Sequence, residues 1–348
     1  MKVLVIPDVH GNWEAALKNI AEHKDEVEKV VVLGDYVDDF DEALNGKPMV
    51  DGFNKLMEYK RAEPEKFEVL FGNHCASYLP QSRHAEGVSG HHPEFAKDYL
   101  EMFSKNIDLI NICCVIDGVL FSHAGVSRNF LDHATLAANV EHKFDKVPLE
   151  IFEQYNACNE ALRDINKNYF GGEVFSLVNA ETPEDQAKID RYREIQAEIH
   201  QEMNEVYEEM QKYEWDMFKY SSIKNLNKIF HSNHGPHNYN TLIFEHCGWD
   251  GAGDSSGESC TWIRPNALLL DPWPVRIKYQ VVGHTELGEK YFTYKGKHLM
   301  VLDSHEHNLY KIIDTEKMDE LPWEELHAEV APSFTAEEIK LLQMMGLI

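Results

Sequence analysis

The chain has 348 residues, of which 60 are acidic and 33 basic, so its formal net charge is −27. A surface this acidic repels phosphate backbones, which argues against a long nucleic acid as substrate or partner. The apolar runs are shorter than the ~20 residues of a membrane span, and the six cysteines form no C-x-x-C pair. We therefore expect a cytoplasmic protein without a membrane segment.

Short apolar runs along the chain predict buried strands, and one stretch with helical spacing, Asn12 to Lys24, follows the first of them. The predicted strands are 2–6, 30–33, 67–71, 115–122, 280–282 and 299–302. The first five are each followed by a polar motif, namely Asp8-Val9-His10, Gly34-Asp35-Tyr36-Val37-Asp38, Gly72-Asn73-His74, His123-Ala124-Gly125 and Gly283-His284-Thr285. Sites in α/β proteins form at the carboxyl ends of strands, so we expect these motifs to converge.

The segment between His123 and His284 has a different, helical character. Thr182-Pro183-Glu184-Asp185 is typical of a helix start, and apolar residues then recur every three or four positions up to Met217. We predict a helical insertion or cap over 140–230, with 184–219 forming an intramolecular hairpin or, alternatively, a partner or dimer surface. The predicted core is 1–135 and 235–315, and 316–348 is a predicted C-terminal helical tail.

The motifs supply oxygen and nitrogen ligands for divalent ions. Asp8 and His10 are two positions apart on one loop, so both can reach one ion, and Asp35 can bridge two ions with its two oxygens. The remaining candidates for the second ion are Asn73, His123 and His284. A ligand set without thiolate suits Mn, Fe, Zn, Co or Ni, and Mn is our first choice. Two such ions can activate a shared water for hydrolysis.

Proton transfer and phosphate binding need further side chains. His74 directly follows a ligand amide, so it can face the substrate and act as a general acid, with Asp38 orienting its imidazole. Arg264 is our first candidate for the cation that binds phosphate, although each arginine considered has the alternative role of an ordinary surface side chain. The other candidate phosphate contacts are Arg128, Arg83 and the amide of Asn73.

As an ordered set, these motifs resemble the calcineurin-like metallophosphoesterase superfamily, and are most similar to its phosphoprotein phosphatase branch with the bacterial and phage serine/threonine phosphatases. The resemblance spans about 1–130 and 240–312. It implies an α/β fold, a β-sandwich of two mixed sheets flanked by helices. It implies a first metal on Asp8, His10 and Asp35, a second on Asp35, Asn73, His123 and His284, and His74 with Asp38 as the catalytic pair. The segment 262–265 is similar to the one that carries a phosphate-binding arginine.

Two departures from the family pattern lie beside the ligands. Asp39-Phe40 stands where the family usually has Arg-Gly, and Cys75 stands where it usually has Glu. One arginine of the family's phosphate clamp is therefore missing from its place. The missing arginine does not affect the predicted metal chemistry, but it weakens the assignment to protein phosphatases.

The sequence thus predicts a dinuclear metal-dependent phosphomonoesterase for phosphoserine or phosphothreonine proteins or small phosphoesters. The same ligand set would also serve a hydrolase of nucleotide anhydrides, such as dinucleoside polyphosphates, or of phosphodiesters. A third hypothesis is a non-catalytic scaffold that keeps the fold and binds partners through 184–219. Scaffold relatives lose metal ligands, whereas this chain retains each ligand type that we identify.

Overall fold

The computed structural model describes residues 1–79, 90–137, 223–232, 253–254, 257–274, 276–303 and 310–326, with isolated helical positions between 154 and 209. The predicted insertion at 140–230 and its helix 184–219 lie almost wholly outside the described residues, as does Arg83. No helix in the described ranges combines the length and apolarity needed to cross a bilayer.

Ten strands and seven α-helices lie within the described ranges. The strands are β1 (Lys2–Ile6), β2 (Lys29–Val32), β3 (Phe67–Val69), β4 (Cys113–Ile116), β5 (Val119–Ser122), β6 (Tyr279–Val282), β7 (Gly288–Tyr294), β8 (Lys297–Asp303), β9 (Lys311–Asp314) and β10 (Glu324–Glu325). The helices are α1 (Trp13–His23), α2 (Lys47–Ala62), α3 (Asn73–Ser77), α4 (Ala96–Ser104), α5 (Arg128–Ala137), α6 (Ile223–Ser232) and α7 (Pro265–Leu270).

The strands form two mixed sheets, which confirms the predicted fold class. The first sheet has the order β3-β2-β1-β9, in which β1, β2 and β3 are parallel and β9 is antiparallel to β1. The second has the order β10-β7-β8-β6-β5-β4, with β5, β6 and β8 parallel at its centre. Each sheet therefore has a parallel centre whose strands end at the same edge, where loops can build a site.

The sheets pack face to face because their strands are apolar on both sides. In β1, Val3 and Val5 face the second sheet, whereas Leu4 and Ile6 belong to the core beneath the helices. The core between the sheets also contains Val31, Leu33, Leu70, Phe121, Val281, Met300 and Leu302. Strands buried on both faces are continuous apolar runs, which is why the sequence predicted them well.

Helices cover the outer faces of both sheets. The core of the first sheet includes buried residues of α1, α2, α4 and α5, such as Ile20, Phe53, Phe103 and Phe130. On the second sheet, Leu268 of α7 packs in one cluster with Val282, Leu299 and Val301. The sandwich therefore has helices on both outer faces, and the loops that follow the strands lie at an end that these helices do not cover.

The prediction of a single strand over Val115–Ser122 was wrong. The chain instead forms the hairpin β4–β5, which turns at Asp117 and Gly118 with φ of +48° and +82°. An Asp-Gly pair with positive φ at both positions is a favoured two-residue hairpin turn. The apolar residues on either side of this pair concealed the break.

The described start of the predicted helical tail belongs to the sandwich. Residues Thr315–Glu320 form a short 3-10 helix, and β10 then pairs in parallel with β7. Residues 327–348 lie outside the described ranges. A helical tail over 316–348 and the core boundaries at 135 and 235 therefore stay predictions.

Candidate metal centre

Sheet topology brings the predicted motifs to one end of the sandwich. Parallel pairing of β1 with β2 sets the loop of Asp8 beside that of Asp35, and the backbone N–H groups of Val9 and His10 donate to the Asp35 carbonyl at 3.1 and 2.6 Å. In the second sheet, β5 and β6 run in parallel and His284 follows the end of β6. The two sheets therefore each contribute strand-end loops.

Hydrogen bonds join these loops across the sandwich. The backbone N–H of His284 donates to Asp8 Oδ2 at 2.8 Å, and His123 Nδ1 lies 3.2 Å from the Leu33 carbonyl oxygen. His284 and His123 come from the second sheet, whereas Asp8 and Leu33 come from the first. The predicted ligands of both sheets therefore meet in one cluster.

The backbone is strained at several of these residues. Seven non-glycine residues in the described ranges have positive φ, and four of them are predicted site residues: His10, Asp35, Asp38 and His284. This left-handed region costs a non-glycine residue roughly 1 kcal/mol or more. Such strain persists where the surrounding structure over-determines it, which is common at functional sites.

Glycines allow the carboxylates to approach the backbone closely. A Cβ on Gly72 would lie 2.1 Å from Asp35 Oδ1, and a Cβ on Gly283 would lie 2.1 Å from Asp8 Oδ1. Each glycine precedes a predicted ligand, Asn73 or His284. The absence of a side chain at these positions is therefore what makes room for the two buried carboxylates.

The ligand atoms predicted for the second ion lie close together. His123 Nε2 is 2.8 Å from Asn73 Oδ1 and 3.2 Å from Asp35 Oδ2. His284 Nδ1 is 3.1 Å from the same Asn73 oxygen. Four residues from four different strand ends thus lie together, and their binding of one common ion stays a prediction.

Asp35 is common to two groups of candidate ligands. Single ligand atoms of Asp8, Asp35 and His123 lie within 4.8 Å of one another, and so do those of His10, Asp35 and His74. This sharing agrees with a bridging role for Asp35. Asp8 and His10 fall in different groups, so their assignment to the same ion stays a prediction.

Backbone carbonyls orient two of the imidazoles for metal binding. His10 Nδ1 lies 3.0 Å from the Val37 carbonyl and 2.8 Å from the Asp38 carbonyl. Since both partners are acceptors, Nδ1 must carry the hydrogen and Nε2 keeps its lone pair. His123 likewise has Nδ1 towards the Leu33 carbonyl, but its Nε2 faces the oxygens of Asn73 and Asp35, so without a metal both ring nitrogens have acceptor partners. Metal-ligating histidines commonly have such a carbonyl partner.

The protonation states of the cluster reflect its burial. Burial raises the pKa of Asp8 well above its usual range, and the charge of Asp303 adds to this effect. Burial acts to raise the pKa of Asp35 as well, but the charges of His123, His74 and His10 and the hydrogen bond from His123 together outweigh it and hold the pKa below its usual range. For His123, burial lowers the pKa, but the charges of Asp35 and Asp8 raise it to about 9.

The other two imidazoles are held in the neutral form that binds metals. Burial lowers the pKa of His10, and the neighbouring His74 lowers it further. Burial likewise lowers the pKa of His284 well below its usual range, with added contributions from the charges of His123 and Arg264. Neutral imidazole is the ligand form of histidine.

The residues present fit two divalent cations. Two buried polar atoms of the described cluster, Asp8 Oδ1 and His284 Nε2, make no hydrogen bond, although buried polar atoms usually have a partner. The neighbouring buried carboxylates of Asp8 and Asp35 also require a compensating positive charge. Oxygen and nitrogen donors with this charge match the ions predicted from the sequence.

The predicted proton-transfer pair lies beside this cluster. His74 Nδ1 is 3.0 Å from Asp38 Oδ2, and the backbone N–H of His74 donates to Asp35 Oδ1 at 3.0 Å. The His74 ring meets the His10 ring edge-on, with centroids 4.8 Å apart. The structure thus brings His74 and Asp38 together next to the candidate ligands.

The two candidate arginines within the described residues, Arg264 and Arg128, differ in their positions. Arg264 directly precedes α7, close enough for its charge to lower the pKa of His284. The neighbouring Trp262 ring meets His284 edge-on at 5.8 Å. Arg128 instead directs Nε at Asp132, 2.7 and 2.8 Å from its two carboxylate oxygens. Which arginine meets phosphate stays a prediction.

The two departures from the family pattern have structural roles in this chain. Asp39 accepts hydrogen bonds from the backbone N–H groups of Gly11, at 3.1 Å, and Asp41, at 2.8 Å. Cys75 is fully buried, and its sulfur accepts from the N–H of Tyr36 at 3.3 Å. Asp39 therefore fastens its own loop to the loop that carries His10.

Sequence reasoning missed two residues close to the cluster. Tyr78 donates a hydrogen bond to Asp38 Oδ1, but in the sequence it has the ordinary pattern of a core aromatic. Asp303, at the end of β8, contributes negative charge to Asp8 and His123. Its position after a predicted strand was the available signal for Asp303.

Comparison with known proteins identifies a family. The family model described as Calcineurin-like phosphoesterase matches residues 1–286. No curated protein sequence matches the chain.

Two solved structures match part of the chain. A protein serine/threonine phosphatase from Saccharomyces cerevisiae is 18% identical, with a TM-score of 0.25 over 37% of this chain and 39% of that one. A metallophosphoesterase from Sphaerobacter thermophilus is 19% identical, with a TM-score of 0.23 over 36% of this chain and 47% of that one. The chain thus spans less than half the length of these structures.

We expect Gly72→Ala to weaken Mn²⁺ binding at least ~10-fold, as loss of a residue that supports a metal ligand commonly does. The added Cβ would displace Asp35, whereas φ at Gly72 is suitable for alanine. Isothermal titration calorimetry with Mn²⁺ measures the effect. Gly118→Ala is the control: its Cβ meets nothing within 4 Å, so it should cost only ~1 kcal/mol of backbone strain. Equal affinities of wild type and Gly72→Ala would contradict the expected constraint on Asp35.

Proposed function

The chain belongs to the calcineurin-like phosphoesterase family, and we propose that it is a dinuclear metal-dependent phosphomonoesterase. Its proposed substrates are phosphoserine or phosphothreonine proteins or small phosphoesters. The observation that carries the proposal is the cluster in which Asp35 lies with His10 and His74 in one group and with Asp8 and His123 in another. His74 of the first group is also hydrogen-bonded to Asp38, which is why we assign it to proton transfer.

The candidate ligands would hold two divalent ions, with Mn²⁺ as our first choice. When bound, such ions supply a water of lowered pKa and neutralise charge on the phosphoryl oxygens. The protein's own contribution is to hold the ligands rigidly: His10 and His123 by backbone carbonyls, and Asp8 by the N–H of His284. Little reorganisation is then needed during the reaction.

His74 would donate the proton that the leaving oxygen needs. Its Nδ1 faces Asp38, so Nε2 is the atom that can face a substrate. The side chain is 13% exposed, so part of it remains accessible to solvent. A general acid placed in this way typically accelerates a reaction ~10²- to 10⁴-fold.

Arg264 is the proposed phosphate contact. Support comes from its charge, which reaches the His284 ring, and from its position just ahead of α7. A guanidinium can bind two phosphoryl oxygens at once, so it would orient the ester as well as attract it. Arg128 is the weaker candidate because its Nε is already paired with Asp132.

Asp39 favours a second candidate function, cleavage of nucleotide anhydrides or phosphodiesters. It places a carboxylate, fastened to Gly11, where the family's clamp has an arginine. A substrate with a terminal phosphate dianion would be repelled there, whereas an anhydride or diester presents less charge per phosphorus. The rest of the proposed machinery serves both reactions.

Hydrolysis of p-nitrophenyl phosphate and phenyl phosphate with Mn²⁺ tests the main proposal. We expect Asp8→Asn to lose ~100-fold or more in kcat on both substrates. His74→Asn should lose more on phenyl phosphate, whose leaving oxygen depends on protonation. Asp319→Asn, an exposed carboxylate paired with Lys278, is the matched control and should match wild type. The same background rate of hydrolysis for wild type and all three variants would contradict the proposal.

Arg264→Ala should lower kcat/KM for phosphomonoesters ~10- to 100-fold, because a bidentate charged contact is lost. Arg128→Ala should lower it less. Steady-state kinetics with p-nitrophenyl phosphate gives both values, and thermal unfolding of each variant reports any loss of folding. A larger loss for Arg128→Ala would exchange the roles of the two arginines.

A product analysis separates the two candidate functions. Phosphoserine peptides, p-nitrophenyl phosphate, bis-p-nitrophenyl phosphate and a dinucleoside tetraphosphate are offered to the Mn²⁺-loaded protein. We expect the highest kcat/KM on the monoesters. A preference for the tetraphosphate or the diester that Asp39→Asn reduces would instead establish the second candidate.

A further inference from the structure

Tyr78 completes the surroundings of Asp38 on the side that His74 does not reach. Its hydroxyl donates to Asp38 Oδ1, whereas His74 Nδ1 lies 3.0 Å from Oδ2. We propose that Tyr78 is a positioning residue that fixes Asp38, and through it His74, for protonation of the leaving oxygen. This inference rests on the phosphomonoesterase function proposed above.

The direction of the hydrogen bonds follows from the donors around Tyr78. The backbone N–H of His92 donates to the Tyr78 oxygen at 2.8 Å, so the single hydroxyl hydrogen is available for Asp38. Burial raises the pKa of Tyr78, and the nearby charge of Asp38 raises it further, so the hydroxyl stays protonated and acts as a donor.

Fixing Asp38 in this way also fixes the tautomer of His74. With Oδ1 occupied by the Tyr78 hydroxyl, Oδ2 is left to accept from His74 Nδ1. The Asp38 side chain is 1% exposed, so little water can replace either partner. His74 Nδ1 therefore keeps its hydrogen, and Nε2 is the nitrogen presented to the substrate.

The Tyr78 ring is itself held on two sides. It stacks on the His91 ring, with centroids 4.5 Å apart and planes 25° apart, and meets the Tyr99 ring edge-on at 4.8 Å. Aromatic pairs in these arrangements are mutually attractive. The hydroxyl is thus placed by a rigid, buried ring.

His92 connects this arrangement to the loop that replaces the family's clamp arginine. Its N–H reaches Tyr78, while its Nε2 lies 3.1 Å from the Asp39 carbonyl oxygen. The same residue therefore ties the Tyr78 hydroxyl to the chain directly after Asp38. Both the side chain and the following backbone of Asp38 are held by this short segment.

The test compares Tyr78→Phe with Tyr99→Phe in the Mn²⁺-loaded protein. Tyr99 is a matched control because its buried hydroxyl accepts from Gly46 and contacts Met49, with no bond to Asp38. We expect Tyr78→Phe to lower kcat for phenyl phosphate ~10-fold, part of what a general acid contributes. With 2,4-dinitrophenyl phosphate, whose leaving group departs without a proton, kcat should stay within ~2-fold of wild type. Tyr99→Phe should change neither value.

A double variant shows whether Tyr78 acts through His74. If it does, adding Tyr78→Phe to His74→Asn causes no further loss on phenyl phosphate, because the two residues work as one unit. Equal losses of Tyr78→Phe on both substrates, or a further loss in the double variant, would overturn the proposal. Either of these two results would instead assign Tyr78 a general structural role.

An activity-independent measurement separates this inference from the function on which it rests. Nitrogen-15 spectra of the Zn²⁺-loaded protein, with His74→Asn for assignment, should show a protected Nδ1–H on His74 in wild type and its loss in Tyr78→Phe. Wild type without phosphatase activity but with this pattern would refute the proposed function alone. An unchanged His74 signal in Tyr78→Phe would refute the positioning role.

Discussion

Two carboxylates, Asp8 and Asp35, are buried where the two sheets meet, and the arrangement around them is a response to that burial. A buried carboxylate without compensation costs several kcal/mol. Here the compensation comes from the His284 and His74 backbone N–H groups, at 2.8 and 3.0 Å, and from the His123 imidazole. The opposite pKa shifts of the two acids show that this compensation is uneven, with Asp8 raised and Asp35 lowered. Bound divalent cations would complete it.

This arrangement requires energetically unfavourable backbone conformations. Positive φ at His10, Asp35, Asp38 and His284 turns each loop sharply after its strand, so that successive side chains face the cluster. The rigid strands below, packed through the core between the sheets, hold these turns in place. Strain of this kind lowers stability but holds side chains in a fixed geometry, as the proposed metal site would require.

The candidate metal ligands follow the family pattern, whereas residues beside them depart from it. Asp39 replaces a phosphate-binding arginine with a carboxylate that ties two loops together. Tyr78, His91 and His92 form an aromatic and hydrogen-bonded support around Asp38. Affinity for phosphate would then depend more on the metal ions and Arg264, and catalysis more on a well-oriented His74.

The sequence by itself determined the strands that are buried on both faces and the polar residues that end them, because continuous apolar runs and strand-end motifs are local signals. It missed the β4–β5 turn at Asp117 and Gly118, where flanking apolar residues hid a two-residue signal. Only the tertiary structure decided that Tyr78 contacts Asp38, since residues on two separate loops meet only through packing. It also decided that Asp303 adds charge beside Asp8, because that proximity arises from the sheet order β8-β6-β5 and from the packing of one sheet on the other. The local periodicity of the sequence encodes neither the strand order nor the packing of the two sheets.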